Sequence, residues 1–131
     1  MGRNTKTFAY TNTHPLGASH IGDCAYRAVS IATGKDWLTV YDELTALGRE
    51  LLTPPNDDHT VKVYMDRIGE RIRVAGYGGR PTAKTVTTLD PTKTYVVKVA
   101  SHLVTIKGGK IRDTWDCSDR VVQVVWVLKD L

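Results

Sequence analysis

The later part of the sequence is dominated by short runs of β-branched residues, and this pattern most constrains the fold. Gly108-Gly109 separates two of these runs, and a two-glycine connection is typical of a tight β-hairpin. Short connections between successive strands favour antiparallel pairing. The pattern therefore predicts an antiparallel meander of strands at Tyr95–Val99, Leu103–Ile106, Lys110–Trp115 and Val121–Leu128.

The residues before this sheet have helical periodicity instead. Apolar residues at three- and four-residue intervals predict a helix over 24–33, a second that begins after Asp36 and ends at Leu51, and a third over about 60–68. Residues 75–93 are rich in Gly, Thr and Pro, which indicates loops and turns. Residues 1–21 mix Thr, Asn, His and Pro with few apolar residues, which predicts an irregular arm. These segments together indicate an α+β fold.

Length and composition are typical of a soluble globular chain. With 131 residues, of which 41% are hydrophobic, we expect one domain over 1–131. N-terminal helices, in about residues 22–70, would pack on a C-terminal antiparallel sheet in about residues 94–128. No apolar run approaches the ~18 residues of a membrane span, and the polar N-terminus lacks a signal-peptide pattern. We therefore expect a cytoplasmic protein with no membrane partner.

The cysteines, histidines and charges argue against several classes of function. Cys24 and Cys117 lie far apart, and neither a CxxC nor an HxxxH spacing occurs, so we expect no disulfide, no zinc site and no cofactor. The net charge is +4 and the pI is near 9.1, but the basic residues are scattered. This distribution argues against a nucleic-acid partner.

The sequence Gly22-Asp23-Cys24 opens the first predicted helix. Asp23 is expected to cap that helix by accepting hydrogen bonds from its first free N–H groups. Cys24 would then lie in the first turn, where the helix dipole favours the thiolate. A cysteine so placed is a candidate nucleophile. The alternative interpretation is a small buried hydrophobic residue.

A histidine and a carboxylate are expected to meet on the predicted hairpin. If Gly108-Gly109 forms a tight turn, Lys107 pairs with Lys110, and Asp113 lies diagonally opposite His102 on one face. The carboxylate would fix the ring tautomer and stabilise the imidazolium that forms when His102 takes the thiol proton. Taken alone, a strand histidine is also compatible with a structural role.

Two neighbouring residues complete this prediction. Asp116 is the alternative orienting carboxylate, because a bulge or a longer loop would change the hairpin register. Trp115 would share a face with Asp113 and shield the hydrogen bond between His102 and Asp113 from water. Exclusion of water strengthens such a bond by lowering the local dielectric constant.

The arrangement of these residues resembles the papain-like cysteine peptidases. In that family the nucleophile begins an early helix in a Gly-x-Cys context, which Gly22-Asp23-Cys24 matches. The histidine lies on a later strand, and Asp113-Thr114-Trp115 is similar to the family's Asn-Ser-Trp element. The likeness covers about residues 17–39 and 94–128, and extends to compact papain-fold proteins of bacteriophages and bacteria. It implies a papain-like fold and a Cys24–His102–Asp113 triad that hydrolyses protein or peptide substrates through an acyl-enzyme.

One departure from the family concerns the oxyanion hole. The family usually has a glutamine shortly before the nucleophile, where this chain has Ala18. The oxyanion would then be bound by the Cys24 backbone N–H and by a donor from the arm, with Asn12, Ser19 and His20 as candidates. The missing glutamine also favours a second hypothesis, a papain fold retained as a binding module, such as a phage-encoded inhibitor or adaptor of a host protein. Acyl transfer is a third use of the same triad, and the oligomeric state stays open.

Overall fold

The chain folds into helices that pack on a six-stranded mixed sheet, as seen in a computed structural model that describes residues 4–76 and 78–129. The α+β class is confirmed. The elements of the described residues, in chain order, are β1 (Phe8–Tyr10), α1 (Cys24–Thr33), α2 (Trp37–Leu51), α3 (Asp58–Ile68), β2 (Gly69–Ile72), α4 (Ala83–Val86), β3 (Thr94–Val99), β4 (His102–Lys107), β5 (Lys110–Asp113) and β6 (Val124–Leu128).

The helices follow the predicted pattern closely. The bounds of α1 agree with the prediction, and Gly34 ends the helix in the left-handed conformation with φ of 77°. Asp36 caps α2, since its side chain accepts a hydrogen bond from the Thr39 backbone N–H at 2.7 Å. The third helix begins two residues before the expected start, at Asp58, because the Asp57 side chain caps it. None of the helices in the described part of the chain combines the length and apolar character needed to cross a bilayer.

The sheet differs from the predicted meander. Its order is β1-β5-β4-β3-β6-β2, so the last strand pairs with β3 and not with β5. The connection over residues 114–123 is long enough for the chain to reach the free edge of β3. The sheet also receives β2 and β1 from the first half of the chain, and β1 runs parallel to β5. The four C-terminal strands pair antiparallel with one another as predicted. The predicted meander order was wrong, and the parallel pairing of β1 makes the whole sheet mixed.

The arm over residues 1–21 is not irregular throughout. Within its described part, Phe8–Tyr10 forms β1, and the Phe8 side chain is 2% exposed. Backbone hydrogen bonds attach it to β5, from Ile111 N–H to the Thr7 carbonyl at 2.8 Å and from Thr11 N–H to the Asp113 carbonyl at 2.9 Å. The prediction missed this strand because three residues carry too short a pattern to indicate one.

The hairpin register was predicted correctly. Lys107 pairs with Lys110, and Gly108 and Gly109 both have positive φ, of 64° and 72°. Such a turn matches the twist of the two strands that it joins. Because β4 begins at His102 and β5 ends at Asp113, these two residues lie at the same end of the hairpin.

A buried hydrogen bond attaches α1 to the middle of the sheet. The Thr105 hydroxyl of β4 donates to the Ala28 carbonyl of α1 at 2.5 Å. Both residues are buried. Around this bond, the apolar faces of α1, α2 and α3 form one core against the sheet, and a second core that includes α4 covers the opposite face. The helix start is thereby held near the beginning of β4.

We expect Thr105→Val to lower the free energy of unfolding by about 1 kcal/mol, because the buried hydroxyl donor is lost with little change in shape. Urea unfolding measures this loss as a lower midpoint at an unchanged slope. The matched control is Thr88→Val, at an exposed threonine whose hydroxyl also donates to a backbone carbonyl. An equal effect of the two substitutions would contradict the structural role of the Thr105 bond.

Candidate active site

The three residues proposed from the sequence meet at one end of the sheet. Cys24 is the first residue of α1, His102 the first of β4 and Asp113 the last of β5. The His102 Nε2 atom lies 2.5 Å from Asp113 Oδ2. The Cys24 thiol lies beside the His102 ring and the Leu103 backbone N–H, and both lower its pKa. The predicted contact between the histidine and the aspartate is present in the structure.

The surroundings of Cys24 favour its thiolate. Burial is the largest single effect and raises the pKa of the Cys24 thiol, whereas the polar interactions with the His102 ring and the Leu103 backbone N–H lower it. The positive charges of His102 and Arg27 act in the same direction as these interactions, so that the pKa lies below its usual value. Such a thiol is ionised at a lower pH than a free cysteine, which is what a nucleophile requires.

The surroundings of His102 favour its imidazolium. Burial lowers the pKa of the ring, whereas the hydrogen bonds to Asp113 and Cys24 and their negative charges raise it to about 9. Cys24 and His102 therefore stabilise each other's charged forms. Their protons belong to a coupled pair, in which the charged form of each residue favours the charged form of the other.

Asp113 is the carboxylate that contacts His102, and both of its oxygens accept hydrogen bonds. Oδ2 contacts His102, while Oδ1 accepts hydrogen bonds from Arg27 Nη2 at 3.0 Å and from the Thr114 backbone N–H at 2.7 Å. The residue is only 3% exposed. A carboxylate held by this number of donors cannot rotate freely, so it fixes the plane of the His102 ring.

Arg27 was not identified as a site residue from the sequence. Its guanidinium lies between two carboxylates, since Nη2 donates to Asp113 and Nη1 donates to Asp23. The Trp37 indole N–H binds the other oxygen of Asp23 at 3.0 Å. Arg27, Asp23 and Asp113 are all buried. The four-residue spacing of Asp23 and Arg27 at a helix start was the available signal, because residues so spaced lie on one helix face.

The prediction that Asp23 caps α1 was wrong. Its side chain accepts no hydrogen bond from the helix start, because both of its oxygens bind Arg27 and Trp37. Asp23 therefore anchors Arg27. As a consequence, the side chain at this position accepts no hydrogen bond from the first N–H groups of α1.

Of the two further residues proposed on the hairpin side, only Trp115 touches the histidine. Its ring meets His102 edge to face with 5.1 Å between centroids, and the Arg120 guanidinium lies over its ring at 5.3 Å. Trp115 thus covers one side of the imidazole, although it is itself 42% exposed. Asp116 is exposed and accepts a hydrogen bond from the Ser118 backbone N–H at 3.0 Å.

The arm residues proposed as oxyanion donors shape the loop before α1. The Asn12 amide donates to the Ala18 carbonyl at 3.0 Å, and its oxygen accepts from the His14 backbone N–H. The His14 ring in turn meets Trp37 at 5.0 Å. Ser19 and His20 are exposed, and His20 has a left-handed φ of 64°. These contacts give Asn12 a structural role in the loop.

A cavity of about 200 Å³ adjoins the Cys24–His102 pair. Apolar side chains from α1, α3, β4 and β6 and charged side chains from α3 and β3 line it, namely Ala25, Val61, Leu103, Trp126, Asp58, Lys62 and Lys98. Its size suits one side chain better than a cofactor, since small-molecule sites usually measure about 300–1,000 Å³. Within residues 4–76 and 78–129, no three His, Cys, Asp or Glu side chains are grouped to hold a metal ion.

Comparisons with protein-family models, with curated proteins and with solved structures yield no match to this chain. The geometry and electrostatics of the site are therefore the basis for assigning a function to this chain.

We expect Arg27→Met to lower the free energy of unfolding by about 3–5 kcal/mol, because Asp23 and Asp113 would both remain buried without their cation. The matched control is Arg67→Met, which removes an exposed ion pair with Glu50 and should cost less than about 1 kcal/mol. Urea unfolding measures the free energy of unfolding of both variants, and the loss should be much larger for Arg27→Met than for Arg67→Met.

If the Arg27→Met protein does not fold, Arg27→Lys provides the test. Lysine keeps the charge but cannot hold two carboxylates with a planar fork, so a smaller loss of stability is expected. Equal stability of Arg27→Lys, Arg67→Met and the native protein would contradict the role assigned to the Arg27 guanidinium.

Proposed function

We propose that the protein is a cysteine hydrolase that cleaves a peptide, isopeptide or related amide bond, with a papain-like arrangement of its helices and sheet. The observation that supports this proposal most strongly is the contact chain from Cys24 through His102 to Asp113, in which Cys24 has a lowered pKa and His102 a raised one. The substrate would be a protein or a peptide. The site of action would be the cytoplasm, that of the host if a bacteriophage encodes the chain.

In the first step the Cys24 thiolate attacks the substrate carbonyl carbon, and the carbonyl π electrons move to the oxygen. The resulting tetrahedral intermediate collapses as the C–N bond breaks. The His102 imidazolium gives its proton to the leaving nitrogen, which departs as a neutral amine. Cys24 is then acylated and His102 is neutral.

The negative oxygen of the tetrahedral intermediate needs hydrogen-bond donors. The start of α1 supplies them in this proposal, because the first N–H groups of a helix have no partner within the helix. The Cys24 backbone N–H is one of these, and the Asp23 side chain does not cap the N–H groups of the residues that follow it. This placement explains how the site could act without the glutamine expected from the papain-like resemblance.

In the second step water hydrolyses the acyl-enzyme. Neutral His102 takes a proton from the water, whose oxygen attacks the thioester carbon. The C–S bond breaks, which restores the thiolate and the imidazolium. Asp113 stays ionised throughout and holds the ring. An amine in place of the water would make the same reaction an acyl transfer.

We expect iodoacetamide to alkylate Cys24 much faster than Cys117 in the native protein. Cys117 is fully buried, and burial together with the charge of Asp113 raises its pKa to about 12. His102→Ala should slow alkylation of Cys24 by at least about tenfold, because each unit of rise in pKa reduces the thiolate fraction tenfold. Peptide mapping by mass spectrometry measures both rates.

The matched control for this experiment is His59→Ala, at an exposed histidine on α3, which should leave the Cys24 rate unchanged. Cys24→Ser should abolish hydrolysis of labelled casein while the unfolding transition persists. Slow alkylation of Cys24 with a pKa near that of a free cysteine would sink the hydrolase proposal and favour the alternative of a binding module.

Replacement of the orienting carboxylate should change the pH dependence in a defined direction. In the native protein the imidazolium is present below its pKa of about 9, so hydrolysis should decline as the pH rises through that value. Asp113→Asn removes a negative charge that favours the imidazolium, so this decline should move to lower pH. Alkylation of Cys24 should also require a higher pH, because the thiolate loses part of its counter-ion.

The matched control is Asp116→Asn, at the exposed carboxylate that was the alternative orienting residue. It should leave both pH profiles in place. Displacement of the profiles by Asp116→Asn but not by Asp113→Asn would contradict the assignment of Asp113. Rates of hydrolysis and of alkylation measured over the same buffer series provide the comparison.

A further inference from the structure

The cavity beside Cys24 is divided into an apolar floor and a charged rim. Val61, Leu103 and Trp126 form the floor together with Ala25, and Trp126 and Leu103 are almost fully buried. An aliphatic segment of a bound molecule would gain from contact with this surface. Because Cys24 and His102 also line the cavity, its occupant would lie directly beside the reacting atoms.

The rim carries an excess of positive charge. Asp58 is paired with Lys62, with 2.9 Å between Nζ and Oδ2, whereas Lys98 Nζ lies 4.0 Å from the other Asp58 oxygen. One carboxylate thus faces two ammonium groups. A thiolate–imidazolium pair of Cys24 and His102 has no net charge, so in that state it leaves this excess of positive charge unchanged.

Lys98 is the more enclosed of the two cations. Its side chain is 17% exposed, against 35% for Lys62. Its Nζ donates one hydrogen bond, to the Val99 carbonyl at 2.8 Å, and an ammonium group has three hydrogens to donate. A partly buried ammonium with remaining donor capacity favours an anionic partner.

We infer that this cavity selects a substrate side chain with a short aliphatic stem and a terminal carboxylate, of the glutamate type, at or next to the residue whose carbonyl is attacked. The stem lies on the apolar floor and the carboxylate pairs with Lys98. This inference rests on the proposed function, since it names the substrate class of the same site. A cationic side chain is disfavoured because Asp58 already has Lys62 as its close partner.

The probes are acetyl-dipeptide chloromethyl ketones in two series, with glutamate, glutamine or lysine either at the carbonyl residue or at the residue before it. Each reagent alkylates Cys24 with loss of chloride, and rates are divided by the iodoacetamide rate of the same protein. The glutamate reagent should react about ten- to a hundredfold faster than the glutamine reagent in one series, as expected for one charged hydrogen bond.

Lys98→Met should abolish the preference for glutamate over glutamine, and Lys98→Glu should transfer the preference to the lysine reagent. The matched control is Lys107→Met, at an exposed lysine at the opposite end of the hairpin, which should keep the native preference. The division by the iodoacetamide rate corrects for any general change in the reactivity of Cys24.

The outcomes separate the inference from the proposed function. Fast alkylation by iodoacetamide without a preference for glutamate in either series would overturn the inference and leave the hydrolase proposal standing. A preference that persists in both Lys98 variants would also overturn it. Slow alkylation of Cys24 by iodoacetamide would count against the hydrolase proposal itself, and the inferred substrate class would fail with it.

Discussion

The site depends on the buried guanidinium of Arg27. It joins Asp23, at the start of α1, to Asp113, at the end of β5, and so fixes the helix that carries Cys24 relative to the strand that orients His102. Removal of three charges from water is costly, and a buried charge whose partner is missing costs several kcal/mol. An arrangement that satisfies all three charges is therefore strongly favoured over one in which the helix start is displaced from the sheet.

The same interaction accounts for the unusual start of α1. An aspartate before a helix ordinarily caps it, which contributes about 1 kcal/mol to stability. Here the Asp23 carboxylate binds Arg27 and Trp37 instead, and it accepts no hydrogen bond from the first backbone N–H groups of the helix. The start of α1 is thus less stable than it would be with a capping side chain. It is also the place where the proposed reaction requires free N–H donors for the oxyanion. Loss of a local stabilising contact at a functional site is a common pattern in proteins.

The sequence was informative where the determining interactions are local. Helix periodicity and the Gly34 and Asp36 signals predicted α1 and α2, and Gly108-Gly109 determined the register that brings His102 to Asp113. Pairing between distant segments was not predictable, because no local pattern encodes which edge β6 or β1 joins. The role of Arg27 was not predictable either, because it depends on a contact with Asp113, which lies 86 residues away in the sequence. The papain-like arrangement and the catalytic roles stay predictions.

The two cysteines show why the neighbouring charges, and not the residue type, decide the chemistry of this site. Burial raises the pKa of both thiols. At Cys117 the negative charges of nearby aspartates add to this effect. At Cys24 the polar interactions with the His102 ring and the Leu103 backbone N–H, together with the positive charges of His102 and Arg27, reverse it. Asp113 contributes to both outcomes, because it raises the pKa of Cys117 directly and stabilises the imidazolium that faces Cys24. A single carboxylate thus disfavours the thiolate at one cysteine while it supports, through His102, the thiolate at the other.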